Sequence, residues 1–158
     1  MKKAFYLLAA SLLISCQHPV DRMVARNEVY KAEKEFEKMA AEKGMAEAFF
    51  YFADDSATIL RGNDSLIKGK ENIRHYYNVR SNPDAKLSWT PDYIYVSDCG
   101  TLAYTYGKYI YSIKDSSGNL KESSGIFHTA WKKQNDEWKY VLSLIHISEP
   151  TRLLSISY

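Results

Sequence analysis

The spacing of apolar residues changes once along the chain, from helical before residue 86 to alternating after it. Between residues 21 and 43, apolar side chains recur every three or four positions, and the opposite face carries Lys and Glu, Glu33 among them. This pattern predicts an amphipathic helix that lies on a core. The same spacing predicts two shorter helices, at residues 45–52 and 70–79. Two brief strands are predicted at residues 57–60 and 66–67, on either side of a segment with the composition of a turn.

Beyond residue 86, apolar and polar side chains alternate. The alternation predicts four strands, at residues 86–96, 101–114, 120–133 and 137–142. Short segments rich in Asp, Asn, Ser and Gly separate these strands and have the composition of turns. Helices followed by an antiparallel meander predict the α+β fold class.

Aromatic side chains are concentrated in the four long strands. On the strand predicted at residues 101–114, Tyr104 and Tyr106 share one face, whereas the smaller Thr105 and Gly107 share the other. Small residues opposite large ones suit a strongly bent sheet, so we expect the helices to pack inside its curve.

The two ends of the chain do not belong to this pattern. Lys2 and Lys3 precede an apolar run of residues 4–14 that is too short for a permanent span of a bilayer about 30 Å thick. The run ends in Leu-Ile-Ser-Cys, which resembles the lipobox of bacterial lipoproteins. We therefore expect a signal peptide at residues 1–15 and a linker at 16–22 that starts with an acylated Cys16. An ordinary signal peptide with a chance cysteine is the alternative.

A lipid on Cys16 would make the membrane a partner and place the protein in a bacterial cell envelope. Gln17 follows the cysteine, whereas Asp is the inner-membrane retention signal, so we expect the outer membrane. At the other end, residues 142–152 resemble the in-frame translation of a transposase sequencing adaptor. Residues 143–158 are therefore predicted to be non-native, and His146 is excluded as a candidate ligand. A genuine apolar tail that closes the domain is the alternative.

The remaining domain, residues 23–142, is long enough for one core, since 46% of the chain is apolar. Residues 16–141 carry 18 Lys and Arg side chains and 18 Asp and Glu side chains, so the charges cancel. A neutral domain offers no basic stripe to phosphates. Nucleic-acid binding is therefore disfavoured.

Metal and cofactor sites are also disfavoured. Two cysteines exclude a disulfide framework and a cysteine-based zinc site. His75 and His128, the two histidines of the domain, fall short of the three ligands that a catalytic zinc needs. No glycine-rich phosphate loop is present, so we expect no cofactor. Cys99 follows Asp98 in a turn, where a lowered thiol pKa is not expected.

Several segments of the domain resemble one family by their order and spacing. Residues 69–74, Gly-Lys-Glu-Asn-Ile-Arg, are similar to its Gly-Lys-Glu-x-Ile third helix. Together, over residues 28–141, the segments resemble the nuclear-transport-factor-2-like superfamily, in the SnoaL-like branch known as domain of unknown function 4440. Cys99 departs from the pattern, because a Gly or Ser-Gly-Asp turn is more usual there. The other similar segments are residues 41–55, 87–91, 98–107, 129–133 and 138–142.

The resemblance implies a cone-shaped fold, in which N-terminal helices and a strongly bent, mainly antiparallel sheet enclose a pocket, and a homodimer formed through the sheet. Superfamily enzymes use an Asp/His or Asp/Tyr pair in an apolar cone, so the candidate catalytic residues are His128, Tyr104 and Asp55. If Ile126 faces the interior, His128 does too. The candidate ligand-binding residues are Phe52, His75, Trp89, Tyr93, Tyr104, Tyr106, His128 and Trp131.

Three functions follow from these observations. The leading hypothesis is an envelope-anchored binding module that holds a small apolar molecule in an aromatic-lined cone. The second is an isomerase or dehydratase that uses His128 with a tyrosine, and the third is a dimeric interaction scaffold. A buried His128 beside an enclosed cavity would favour the enzyme. A cavity without ionisable groups would favour the binding module, and a filled cone would favour the scaffold.

Overall fold

The computed structural model describes residues 21–61, 65–115 and 117–147. The predicted signal peptide, the acylated Cys16 and residues 148–158 of the tail lie outside these ranges. The elements, in chain order, are helix α1 (Arg22–Lys43), helix α2 (Met45–Phe52), strand β1 (Ala53–Arg61), strand β2 (Ser65–Lys68), helix α3 (Lys70–Asn78), and strands β3 (Lys86–Val96), β4 (Leu102–Lys114), β5 (Leu120–Gln134) and β6 (Glu137–Ile147).

The helix boundaries follow from local chemistry. The Asp21 carboxylate accepts hydrogen bonds from the backbone N–H groups of Met23 and Val24, which caps the first turn of α1. Gly44, at φ 86°, ends α1 and lets the chain reverse directly into α2. No helix among the described residues is long and apolar enough to cross a membrane.

The six strands form one sheet in the order β2-β1-β6-β5-β4-β3. Every neighbouring pair is antiparallel except β1 and β6, which run parallel. Three helices on one mainly antiparallel, bent sheet confirm the predicted α+β cone. A Cβ on Gly107 would lie 2.2 Å from the carbonyl oxygen of Thr90, beside a register shift between Pro91 and Tyr93. Glycine at this position therefore lets β3 and β4 approach closely where the ladder is irregular.

The core lies inside the curve of the sheet, around Phe36 of α1. Its ring stacks on Phe52 at a centroid distance of 5.0 Å and on Tyr140 at 5.7 Å. Phe49 and Trp89 meet it edge-on, at 4.7 and 5.0 Å. Such pairs add about 0.5–1.5 kcal/mol each to the burial of the rings, so α1 is fixed firmly against the sheet.

The largest differences from the predicted strand boundaries are at the start of β1 and the end of β6. Strand β1 begins at Ala53, directly after α2, and β6 continues to Ile147, five residues beyond the predicted end at residue 142. Strand β6 lies between β1 and β5, and residues 142–144 pair with both neighbours. The sequence prediction ended this strand at residue 142 because residues 143–158 were assigned to a non-native tail, whereas the structure continues the strand into that segment. The non-native origin of residues 143–158 remains a prediction.

Candidate functional site

The predicted ligand-binding residues separate onto the two faces of the sheet. Phe52, Trp89 and Trp131 are buried on the inner side, against the helices. Four others lie on the outer side, away from the helices, and form what we call the outer aromatic cluster. These are Tyr93, Tyr104, Tyr106 and His128.

The outer aromatic cluster joins β3, β4 and β5. Tyr106 stacks on Tyr93 at 5.3 Å and lies opposite His128 in the β4–β5 ladder. The Tyr104 hydroxyl forms a 2.5 Å hydrogen bond with Nδ1 of His128. The predicted pairing of His128 with a tyrosine is therefore present, with 38–45% of each tyrosine exposed to solvent.

The sequence left the orientation of His128 dependent on that of Ile126, and the structure places both side chains on the outer face. Ile126 is 43% exposed, and His128, two positions along β5, lies on the same face. The interior positions of β5 are Phe127, Thr129 and Trp131. Because successive side chains of a strand alternate, the bulky apolar set determines which face is buried.

Asp55 and His75 lie away from the interior. The exposed Asp55 carboxylate forms an ion pair with Nζ of Lys70 at 2.5 Å. His75 is exposed on α3. Neither side chain is part of the outer aromatic cluster, so the structure does not bring the candidate residues into one site.

The interior holds a carboxyl group that the sequence prediction missed. Glu33, placed on the charged face of α1, is 1% exposed. Its Oε2 accepts a hydrogen bond from Nε1 of Trp89 at 2.7 Å. Its Oε1 accepts from the Thr105 hydroxyl at 2.5 Å and from Nε1 of Trp131 at 3.0 Å. The spacing of Glu33 could have revealed its burial. Glu33 is four residues after the buried Val29 and three before Phe36, so it lies on the same face of the helix as these core residues.

Burial raises the pKa of the Glu33 carboxyl above its ordinary value of 4.5. The hydrogen bonds from Thr105, Trp89 and Trp131 oppose this rise, since they stabilise the ionised form. Within the described part of the chain, no Lys, Arg or His forms an ion pair with Glu33. Glu33 is therefore a buried acid held by neutral donors alone.

Glu33 lines a small cavity inside the cone, of about 20 Å³. This volume is close to what a single water molecule needs, about 10–15 Å³. Tyr109 also lines the cavity, and its buried hydroxyl has no hydrogen-bond partner among the described residues. The rest of the wall is largely apolar and includes Phe36, Phe49, Leu87, Trp89, Phe127 and Thr129.

A larger cleft opens between the end of α1, α2, the end of α3 and the start of β3. It has a volume of about 880 Å³, within the range of small-molecule sites. Leu87 lines both the cleft and the interior cavity. Charged residues of both signs surround the cleft, including Lys38, Lys43, Lys86, Glu47 and Glu122.

Two further observations concern reactive groups. Across residues 21–61, 65–115 and 117–147, no three His, Cys, Asp or Glu side chains are grouped as metal ligands. The expectation that Cys99 keeps an ordinary thiol pKa is wrong. Hydrogen bonds with the hydroxyls of Ser97 (3.2 Å) and Thr101 (3.0 Å) lower the pKa of Cys99 to about 7. The thiolate accepts both bonds, and local turn geometry of this kind leaves no composition signal.

Comparison with solved structures identifies the fold. The chain is similar to a nuclear-transport-factor-2-like protein with a cystatin-like fold from Novosphingobium aromaticivorans, at 14% identity and a TM-score of 0.67. This match covers 96% of the chain and 94% of that protein. No family model and no curated protein matches the sequence.

Two further similar structures come from different organisms and have different descriptions. One is a nuclear transport factor 2 superfamily protein from Salmonella enterica serovar Typhimurium, with 14% identity, a TM-score of 0.65 and coverage of 86% of this chain and 99% of that one. The other is the association domain of CaMKII from C. elegans, with 13% identity, a TM-score of 0.63 and coverage of 78% and 96%. At these identities the likeness establishes the nuclear-transport-factor-2-like fold alone.

Proposed function

We propose that this protein is a lipid-anchored envelope protein whose cone binds one small, largely apolar ligand. The observation that carries the proposal is a cleft of about 880 Å³ that shares Leu87 with the wall of the small cavity inside the cone. A concave space with an apolar wall and a few placed polar groups is the usual form of a small-molecule site. The cavity has this form, with Glu33, Tyr109, Thr129 and Ser143 as its polar side chains, whereas charged side chains border the cleft.

Binding would be driven by the removal of apolar ligand surface from water. The ligand body would lie in the cleft against the side chains of Leu87 and Met45, and only a small group would reach the cavity. The charged rim would remain in water and would bias the ligand toward an apolar body of low net charge.

Anchoring rests on the lipobox-like sequence before Cys16. An acylated cysteine would hold the domain at a bacterial envelope, because each buried methylene contributes about 0.8 kcal/mol. The Cys16→Ala variant should move from the membrane fraction to the soluble fraction after cell lysis. A variant that stays with the membrane fraction would exclude the lipid anchor.

The ligand is tested by native mass spectrometry of the full-length protein purified from a bacterial envelope. We expect a population with the mass of protein plus one small molecule. The Leu87→Trp variant should lose it, because the larger ring would fill space in the cleft and the cavity that Leu87 lines. Leu120→Trp, at an exposed position of β5, is the matched control and should keep it. A wild-type protein without added mass, even after incubation with a hydrophobic small-molecule library, would contradict the proposal.

An isomerase or dehydratase based on His128 and a tyrosine is not favoured by the geometry. General acid–base chemistry of that class needs a group whose pKa is moved toward neutrality in an enclosed site. Tyr104 and Tyr106, the neighbours of His128, are 39% and 38% exposed on the outer face. A substrate bound there would remain in contact with water.

A homodimer is the second candidate function, supported by the outer aromatic cluster. Its tyrosines are large, partly apolar and exposed on one continuous sheet face, as is typical of interaction surfaces. One of the similar structures is an association domain. We expect a dimer in sedimentation velocity, and Tyr106→Glu should convert it to a monomer. Tyr30→Glu, at a similarly exposed tyrosine of α1, is the matched control and should leave the dimer intact. A monomeric wild-type protein at high micromolar concentration would exclude this candidate.

A further inference from the structure

We propose that the end of the domain where α1 begins rests on the membrane surface, with Met23 and Val24 inserted among the lipid headgroups and Arg26 bound to a lipid phosphate. This inference rests on the lipid anchor of the proposed function and adds the surface by which the anchored domain contacts the bilayer. We call this surface the anchor-side tip, and it consists of Arg22, Met23, Val24, Arg26 and Leu102.

The tether between the proposed anchor and the domain is short. Arg22 begins α1 and is six residues after Cys16. Because an extended chain spans at most about 3.3–3.6 Å per residue, an acylated Cys16 would hold the start of α1 within about 20 Å of the bilayer. A surface on such a tether meets the membrane at an effective concentration on the order of millimolar, so a weak contact is sufficient.

The first turn of α1 exposes two apolar side chains. Met23 is 61% exposed and Val24 is 54% exposed, whereas Ala25, the next residue, is buried. Most of the other exposed positions of this helix carry polar or charged side chains. Each apolar side chain that leaves water for lipid strengthens the contact by roughly tenfold, so a bilayer is a favourable cover for this turn.

Cationic side chains border the two apolar ones. Arg22 forms an ion pair with Asp98 at 2.9 Å. Arg26 is exposed three residues after Met23, and it forms no ion pair within the described part of the chain. A guanidinium group donates paired hydrogen bonds to phosphate, and anionic lipids attract cations near their surface. Arg26 is therefore placed to bind a headgroup while its apolar neighbours enter the lipid.

A second element reaches the same end of the molecule. The bond between Arg22 and Asp98 holds the start of α1 beside the turn that joins β3 and β4. Leu102 begins β4 directly after this turn and is 51% exposed. The anchor-side tip therefore presents apolar side chains from the helix and from the sheet, and both would contribute to the lipid contact.

The proposed contact fixes the direction in which the large cleft opens. Helix α1 has 22 residues and is about 33 Å long. Lys43, at the far end of α1, lines the cleft together with Asn78 of α3. The cleft would therefore open away from the bilayer. Val79 follows Asn78 and is 62% exposed, which makes it a control position remote from the tip.

Cys99 provides a reporter in the turn beside the tip. The chain has two cysteines, and acylation uses the thiol of Cys16, so the exposed Cys99 is left for labelling. The full-length acylated protein is labelled there with bimane and reconstituted in vesicles of phosphatidylethanolamine and phosphatidylglycerol that contain a nitroxide lipid as quencher. We expect several-fold stronger quenching at Cys99 than in the Cys99→Ser/Val79→Cys variant, which carries the label at the far end.

Substitution of the two apolar side chains tests their insertion. The Met23→Glu/Val24→Glu variant should stay anchored and lose the contact by about tenfold or more, because charged side chains stay in water. Acidic side chains are favourable in the first turn of a helix, so this variant should keep its fold. Val79→Glu is the matched control at an exposed apolar position and should leave the quenching at Cys99 unchanged.

The outcomes separate the tip from the anchor. If Cys16→Ala releases the protein but Cys99 is quenched no more than the label at the control position, the anchor stands and the tip contact is wrong. If Cys16→Ala stays with the membrane fraction, both inferences are overturned. If aqueous iodide cannot reach a Cys99 label in soluble Cys16→Ala protein, a second copy of the chain covers the tip and the lipid contact is overturned. Stronger quenching at Cys99 that Met23→Glu/Val24→Glu removes supports the proposal.

Discussion

On the inner face of β4 and β5, Thr105 and Trp131 hold the Glu33 carboxyl out of contact with water. On the outer face of the same two strands, Tyr104 holds His128 by a comparable hydrogen bond, with solvent beside it. Both groups are ionisable, and both have aromatic and hydroxyl neighbours. They differ in their exposure to solvent: Glu33 lies between helix α1 and the sheet, whereas His128 lies on the face of the sheet that is away from the helices.

The consequence of that difference is energetic. Burial raises the pKa of Glu33, because an ionised carboxyl loses its hydration and has no cation in its place. Among residues 21–61, 65–115 and 117–147, no helix covers the outer face, and its aromatic side chains keep exposed surface. This difference is the basis for proposing a small ligand for the inner face and a second copy of the chain for the outer face.

The largest expected effect comes from truncating one aromatic ring on each face. Trp131→Ala should cost about 3–5 kcal/mol of unfolding free energy, since it leaves a cavity and removes a donor from Glu33. Tyr106→Ala should cost within about 0.5 kcal/mol in a monomer, because its ring is partly hydrated already. Urea denaturation at low micromolar concentration measures both. Equal losses for the two variants would remove the distinction between the faces.

The second prediction concerns the pH dependence of stability. Glu33 has a pKa above 4.5 in the folded state, so the folded chain keeps a proton that the unfolded chain releases. Stability should therefore fall as pH rises above 4.5, by about 1.4 kcal/mol per unit of pKa difference, until the folded-state pKa is passed.

Glu33→Gln removes this titration and should give a flatter profile of unfolding free energy against pH. The variant should be less stable near pH 4, because the amide N–H₂ replaces one carboxyl oxygen and cannot accept the indole bond that this oxygen received from Trp89 or Trp131. Glu42→Gln, at an exposed position of the same helix, should keep the wild-type slope. A wild-type profile that rises steadily from pH 5 to pH 8 would contradict a raised pKa.

These contrasts also show what the sequence could determine. Strand alternation and helical spacing predicted α1, α3 and the four long strands, because each has a strong local period. Glu33 was assigned to the charged face by residue type, although its spacing matches the buried stripe. His128 could not be assigned to a face, because aromatic residues on both sides of β4 and β5 make either orientation plausible locally. The cover provided by α1 decides the question, and that contact is long-range.

The third prediction compares two buried tyrosines. Tyr140→Phe should destabilise the fold by about 1–2 kcal/mol, because it leaves the Phe49 carbonyl without its donor. Tyr109→Phe should be neutral or stabilising by up to about 1 kcal/mol in ligand-free protein, because it removes a buried hydroxyl without a protein partner. Thermal unfolding of the two variants gives the comparison. A loss for Tyr109→Phe as large as that for Tyr140→Phe would indicate a strongly held water at that hydroxyl.

The smallest effect involves a pKa shift without burial, at the exposed turn between β3 and β4. Hydrogen bonds alone lower the pKa of Cys99 to about 7, so its alkylation by iodoacetamide should reach half its maximal rate near pH 7. Ser97→Ala removes the largest contribution and should move this midpoint upward, with little change in stability. Ser88→Ala, an exposed serine of β3, should leave it in place. A midpoint near pH 9 in the wild-type protein would contradict the lowered pKa of Cys99. It would show that water replaces the hydrogen bonds of Ser97 and Thr101, and that burial is needed for a large pKa shift in this molecule.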